Sequence, residues 1–335
     1  MRSKLVAAMT VAVLAGAATA SCTSATDPAT GPGIIRVAII LGGIQNDGGF
    51  NQAGASAVRA LQDEGQISGQ IRESVATARD AEPIVRQFAA DGYDLVIGWS
   101  ATFADSLYQV AGEFPKTKFM VTGDATDKQK TTPNVETWNY SAEEFGYLLG
   151  WIAGQTRLTP IGVVDGQALP SQKRKWHGFE LGVHAVNPGA EVRAPVYTGS
   201  WEDAQAANQA TVAQLGAGAH LIATNSEGYS PGVAAAAAAR NVATVGMSSA
   251  TSDAAKKVNV GRARLDMLPI LRAVLDRLKT GKFGGQTSVS TIANHSLVLD
   301  TITKVEATPA LPDDLQARAA DLAQQLADGK IKIGS

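Results

Sequence analysis

The chain is poor in the residues that carry most covalent and metal-centred chemistry. One cysteine, Cys22, stands in 335 residues, which excludes an internal disulfide and any cysteine-rich zinc or iron–sulfur centre. Four histidines (His177, His184, His220, His295) form no HExxH pair or comparable spacing, so no histidine-based metal centre is expected. Charge of one sign is lacking too. Against 31 Asp+Glu the chain sets 29 Lys+Arg, a formal net charge of -2, with no basic footprint for nucleic acid. Beyond the first twenty residues no apolar run is long enough to cross a bilayer. What is present is 45% hydrophobic residues, enough for one large or two ordinary domains with full cores.

The N-terminus reads as an address. Arg2 and Lys4 precede a short apolar stretch, residues 5–18, which is followed by small residues. That is the layout of a secretory signal peptide, expected over residues 1–21. The exit Thr19-Ala20-Ser21-Cys22 resembles the lipobox of bacterial lipoproteins, with Thr19 where an aliphatic is usual. That likeness implies cleavage before Cys22 and a lipid on its thiol. Two acyl chains would hold the protein at the cell membrane, at about 0.8 kcal/mol per buried methylene. The alternative is a plain signal cleaved near Ala18 or Ala20. Residues 22–33 have the Ser/Thr/Pro/Gly composition of a flexible tether.

From residue 34 onward, short β-rich runs alternate with helical patterns. Residues 34–41 (IIRVAIIL) form a continuous apolar run, as a parallel strand buried on both faces requires. Helical spacing follows over 51–63, 80–90 and 103–114, with strands at 95–99 and 118–122. The pattern then restarts: strands at 161–164, 192–197, 220–224 and 242–247 alternate with helices at 172–186, 204–215 and 233–240. A further helix is expected over 266–279, one or two strands within 288–303, and a terminal helix over 312–327. Alternation of this length predicts an α/β protein with two doubly wound parallel-sheet lobes. The first lobe is expected over 34–133 with part of 258–285, the second over 134–257 with part of 286–330.

In open parallel sheets ligands bind beyond the carboxyl ends of the strands, and that rule selects loops. After the first strand comes Gly42-Gly43-Ile44-Gln45-Asn46-Asp47-Gly48-Gly49-Phe50-Asn51. Its spacing matches neither GxGxxG nor the phosphate loop that ends in a GK pair. Asp47 is either a ligand contact or an acid that caps the following helix. The other selected loops offer Trp99 and Ser100, then Asp124, then the run Asn225 to Tyr229 with Gly228, and Ser248. Flat aromatics suit a ring-shaped ligand, and carboxylates suit hydroxyl or amine donors. Trp151, Trp176 and Trp201 are assigned to helical surfaces or packing.

The chain resembles the basic membrane protein family of ABC-transporter substrate-binding lipoproteins, the group that includes purine-nucleoside receptors. The resemblance is carried by Asn46-Asp47 before Gly48-Gly49-Phe50-Asn51-Gln52, and by Val96-Ile97-Gly98 before Phe103-Ala104-Asp105. Glu143-Glu144-x-Gly146-x-Leu148-x-Gly150, Gly178-Phe179-Glu180-x-Gly182 and Gly199-Ser200-Trp201 extend it. It implies a type I periplasmic-binding-protein fold with a hinge and an interlobe cleft. It further implies that Phe50 stacks on a base beside Asn51, with Tyr229 as the facing aromatic. Asp124 becomes the acid after the fourth strand, and Arg264 takes the place of a family lysine. The chain departs from the family at Leu41 and at Gly246-Met247-Ser248, where carboxylates are usual.

The expectation is an extracytoplasmic, lipid-anchored receptor of an ABC importer. It would be monomeric, need no cofactor, and pass a nucleoside-like ligand to permease and ATPase subunits. The rivals are a receptor for a sugar or other small polar ligand, a ligand-sensing lipoprotein, and a secreted α/β hydrolase. For the last, Gly98-Trp99-Ser100-Ala101-Thr102 lacks the closing glycine of a nucleophile elbow, and His295 is the formal base candidate.

Overall fold

The structure, a computed structural model, describes residues 33–123 and 132–334. The expectations for Cys22, the signal peptide, most of the tether and Asp124 lie outside the described residues. The first half runs β1 (Ile35–Leu41), α1 (Phe50–Asp63), β2 (Ile67–Arg72), α2 (Ala78–Ala90) and β3 (Leu95–Trp99). A single 3₁₀ turn then leads into α3 (Ala104–Glu113), β4 (Lys118–Thr122) and β5 (Val135–Tyr140). The second half runs α4 (Ala142–Gln155), β6 (Ile161–Asp165), α5 (Pro170–Val186), β7 (Val196–Tyr197), α6 (Ala204–Gly216), β8 (Leu221–Ala223), α7 (Ser230–Ala238), β9 (Ala243–Val245) and α8 (Asp253–Val258). The chain closes with β10 (Ala263–Leu265), α9 (Leu268–Lys279), β11 (Thr287–Ser290), β12 (Leu297–Leu299) and α10 (Leu315–Ala327).

The strands form a six-stranded sheet in the order β11-β5-β4-β3-β1-β2 and a four-stranded sheet in the order β7-β6-β8-β9. Both are parallel throughout. The apolar run of β1 is buried because helices cover both faces of its sheet: Ile39 and Leu41 face one cluster, Ala38 and Ile40 another. The chain passes between the sheets after β5, again between β9 and β11, and again after β11. The second and third passages pair as an antiparallel ribbon, β10 with β12. Two parallel-sheet lobes joined by several crossings give the type I periplasmic-binding-protein fold. Among the described residues no helix is long and apolar enough to cross a membrane.

Several boundaries differ from the sequence expectation. β5 joins the first sheet beside β4, so the first crossing falls after Tyr140 and not near residue 134. β11, expected with the second lobe, pairs with β5 at the edge of the first. β5 reads poorly as a strand because VETWNY holds a glutamate inside a buried run. Glu136 is 1% exposed, and Arg277 from α9 binds it at 2.6 and 2.9 Å while the Gly284 N–H donates to it at 3.0 Å. A buried carboxylate with full partners is tolerated where a bare one is not. β2 (ISGQIR) is likewise hidden by its glycine and glutamine. The strand expected over 192–197 shrinks to a bridge at Val192 and the two residues of β7.

Helix packing in the second lobe bears on the site. Gly146 and Gly150 of α4 and Gly178 and Gly182 of α5 lie where the two backbones meet. A Cβ at Gly150 would stand 1.9 Å from the Phe179 carbonyl oxygen, and one at Gly146 1.8 Å from that of Lys175. Glycine on both helices permits this approach. It brings Lys175, in the middle of α5, to the cleft.

Candidate functional site

The first-lobe wall grows from the glycine-rich loop after β1. Asp47 turns its carboxylate onto the start of α1 and accepts from the Gly49, Gln52 and Asn51 backbone N–H groups at 2.8, 3.0 and 3.0 Å. It also accepts from Asn51 Nδ2 at 2.9 Å. Both oxygens are therefore committed to the orphan donors of the helix, which resolves the two readings of Asp47 in favour of a cap. Asn51, held by Asp47, accepts from Gly43 N at 3.2 Å and fixes the loop. Phe50, the first residue of α1, lies at the cavity over an aromatic ladder. Its ring stacks on Trp99 at 4.9 Å between centroids, and Trp99 stacks on Trp138 at 4.5 Å. Trp99 Nε1 donates to the Phe50 carbonyl at 2.8 Å, locking the stack. Ladders of this kind hold an aromatic face in place before a ligand arrives.

The second-lobe wall is built on Asp165, at the end of β6. This fully buried carboxylate accepts from the Gly166 N–H, Asn225 Nδ2 and Trp176 Nε1 at 2.7, 2.7 and 2.5 Å. Lys175 Nζ lies 3.8 Å from it and donates to Asn225 Oδ1. Burial pushes the Lys175 ammonium down to about 8, with Asp165 and then Glu227 opposing that fall. Two more carboxyls line the cavity from loops. Glu202 is pushed up to about 7 by burial and then by the charge of Asp47 across the cleft. Glu227 is also raised well above the ordinary carboxylate value, by burial first and then by Asp47, Glu202 and Asp165. Trp201 folds over Gly166, where a Cβ would meet its ring at 2.2 Å.

The two walls enclose a cavity of about 440 Å³, inside the usual range of about 300–1,000 Å³ for small-molecule sites. They also touch along a seam. Ser226 Oγ donates to the Gly48 carbonyl at 2.9 Å, Arg262 donates to the same oxygen, and Ser248 N donates to Ser226 Oγ at 3.0 Å. A Cβ on Gly49 would lie 1.5 Å from the Ser226 carbonyl oxygen.

Of the sequence-selected residues, Phe50, Asn51, Trp99, Ser100 and Arg264 line this cavity. Arg264 is tied to Asp300 at 2.8 Å. Asp47, Gly228, Tyr229 and Ser248 do not line it. Asp47 caps α1, Gly228 backs the Glu202 carboxylate, and Ser248 braces the seam. Tyr229 is the clearest correction. Its ring is 0% exposed in the second-lobe core, with its hydroxyl 3.3 Å from Asp165. The cavity face is taken instead by Trp201, its neighbour at 6.5 Å. Trp201, expected to serve packing, both packs on Gly166 and lines the cavity. Lys175, Glu202, Asn139 and Arg262 line the cavity from outside the selected loops, and Glu227 lines it from within the selected run Asn225 to Tyr229. For Lys175 a signal existed: it falls on the buried face of α5 with Gln172, Trp176 and Phe179, where an unpaired lysine is rare. Among the described residues no group of three or more His, Cys, Asp or Glu is disposed to hold a metal ion.

The family model for PnrA-like ABC transporter substrate-binding proteins (Bmp) matches residues 34–301. A solved solute-binding protein of an ABC transporter system from Conexibacter woesei is 38% identical, with a TM-score of 0.76 over 90% of this chain and 98% of that one. A CD4+ T-cell-stimulating antigen from Listeria monocytogenes is 26% identical over 87% of this chain and 85% of its own length. Basic membrane protein A2 of Borrelia garinii is 22% identical over 57% of this chain and 56% of its own length. The chain belongs to the Bmp family of PnrA-like ABC transporter substrate-binding proteins.

Proposed function

We propose that this protein captures a nucleoside, with purines favoured, outside the cell membrane and hands it to the permease and ATPase of an ABC importer. The observation that carries this reading is the Phe50–Trp99–Trp138 ladder on one wall of a cavity to which the other lobe contributes Trp201. One aromatic face from each lobe suits a flat base, and carboxyl groups at Glu202 and Glu227 suit ribose hydroxyls. A ligand touching both walls stabilises the arrangement in which the seam is made, and the transporter recovers it by favouring separated lobes. We further propose that the ligand leaves unchanged. Ser100 Oγ caps the turn after β3 by accepting from Thr102 N, and His295 lies in the β11–β12 connection and does not line the cavity.

The lipid anchor at Cys22 and a monomeric receptor complete the proposal. Calorimetric titration of the purified chain with inosine, adenosine, uridine and glucose tests the ligand class. Saturable heat with a purine nucleoside is expected, and heat with none of the three nucleosides refutes the assignment. Intact mass spectrometry of membrane-extracted protein should show a diacylglyceryl adduct that Cys22→Ala abolishes.

A further inference from the structure

One polar group in the cavity has no protein partner among the described residues. Asn139, near the carboxyl end of β5, is 4% exposed and lines the cavity. Its Oδ1 accepts from the Tyr140 backbone N–H at 2.8 Å. Because that donor must meet an oxygen, the orientation of the carboxamide is decided, and Nδ2 is left as the free end. Nδ2 is buried with no hydrogen-bond partner among the described residues. Buried donors are nearly always paired, and an unpaired one in a binding cavity is a place where a ligand acceptor belongs.

The surroundings say which part of a ligand it meets. Asn139 follows Trp138, the base of the aromatic ladder, whose ring lies 6.0 Å from that of Phe50. Phe50 and Asn139 line the same cavity, so a flat ring stacked on Phe50 shares that space with the Asn139 carboxamide. A second donor, Lys175 Nζ, lines the same cavity. Tyr140 accepts from Gln172 Nε2 at 3.1 Å, one turn before Lys175 on α5. Phe145 bridges the two, 5.9 Å from the Tyr140 ring and 5.9 Å from Lys175 Nζ. The ammonium spends one donor on Asn225 and keeps others. Donors facing a ring edge call for a carbonyl and oppose an amine, which would set donor against donor.

We propose that Asn139 is a specificity-determining residue whose Nδ2 donates to a ring carbonyl, so that the cavity prefers 6-oxopurine over 6-aminopurine nucleosides. The inference rests on the nucleoside reading above. A site built to hydrogen-bond one group rejects the analogue that leaves its buried donor unpaired.

The test compares inosine, adenosine and purine riboside by calorimetry on the parent and on Asn139→Asp. The variant keeps an oxygen for the Tyr140 N–H and replaces only the free donor by an acceptor. Inosine should bind the parent about tenfold or more tightly than either analogue, a ratio within the range that an unmet buried donor costs. Asn139→Asp should weaken inosine about tenfold or more and adenosine much less, narrowing or inverting the ratio. Should the variant fail to fold, the ratio in the parent decides. Equal binding of inosine and adenosine by the parent overturns the proposal. So does an Asn139→Asp variant that leaves their ratio unchanged. In those outcomes nucleosides still bind, so only the role of Asn139 falls; if no nucleoside binds, the nucleoside reading falls with it.

Discussion

Gly49→Ala should separate the two lobes while leaving each one intact. The three atoms nearest a Cβ at this position all belong to Ser226, on the opposite lobe, with the carbonyl oxygen at 1.5 Å. Ordinary contact begins at 3.4 Å, so the seam must part by roughly 2 Å, more than a close-packed contact absorbs. That displacement breaks the bond from Ser226 Oγ to the Gly48 carbonyl and the one from Arg262 to the same oxygen. A neutral and a charge-assisted hydrogen bond together are worth about 2 to 4 kcal/mol. Because ligand affinity scales with the population of the competent arrangement, the dissociation constant should rise about thirty- to several-hundredfold. Calorimetry with inosine measures that rise, and small-angle X-ray scattering should report a larger radius of gyration. The thermal midpoint should scarcely move, because no core side chain meets the new methyl. Affinity within threefold of the parent together with an unchanged radius would refute the reasoning.

Trp201→Ala should weaken the ligand about tenfold through lost stacking area, whereas Tyr229→Phe should lower the thermal midpoint by deleting a hydroxyl on Asp165 and leave affinity nearly unchanged. The opposite pattern would return Tyr229 to the cavity. Asp47→Ala strips three backbone donors of their acceptor and should destabilise the protein by about 1–2 kcal/mol in urea melts. Gly150→Ala forces a methyl towards the Phe179 carbonyl at 1.9 Å and should cost about 1–3 kcal/mol by overpacking, with a loss of affinity as α5 carries Lys175 away. Glu202 is raised to about 7, so the folded protein holds its proton more tightly than the unfolded chain does. Its contribution should therefore be full below the ordinary carboxylate value of 4.5 and fade as pH rises through 7. Thermal midpoints from pH 5 to 8 should fall less steeply in Glu202→Gln than in the parent, and identical slopes would remove Glu202 from the account.

The sites of these perturbations differ in how far they could be read from the chain. Phe50, Asn51 and Trp99 were legible because topology alone places the loops after β1 and β3 at the carboxyl edge of a parallel sheet. Lys175 was legible only as a lysine on the buried face of a helix; its exit to the cleft depends on glycines 146 and 150 of another helix letting α5 approach. Asn139 was hidden for a related reason: β5 interleaves polar residues, and its strand character rests on Arg277 satisfying Glu136 from 141 positions away.

By itself the amino-acid order determined the fold class. Strands such as β1 and β3, buried on both faces, are apolar along their buried runs, helices between them are apolar on one side, and that alternation admits little but parallel sheets with crossover helices. It also determined that a glycine-rich turn follows β1 and that an aromatic begins α1. Tertiary structure alone decided which side chains face the ligand. Tyr229 and Trp201 are both aromatics near the carboxyl edge of the second sheet. What sends one inward and the other to the cavity is a buried carboxylate, Asp165, that accepts the tyrosine hydroxyl from 64 residues away. A contact of that separation leaves no periodicity in the chain, since it exists only after β6 and β8 have paired.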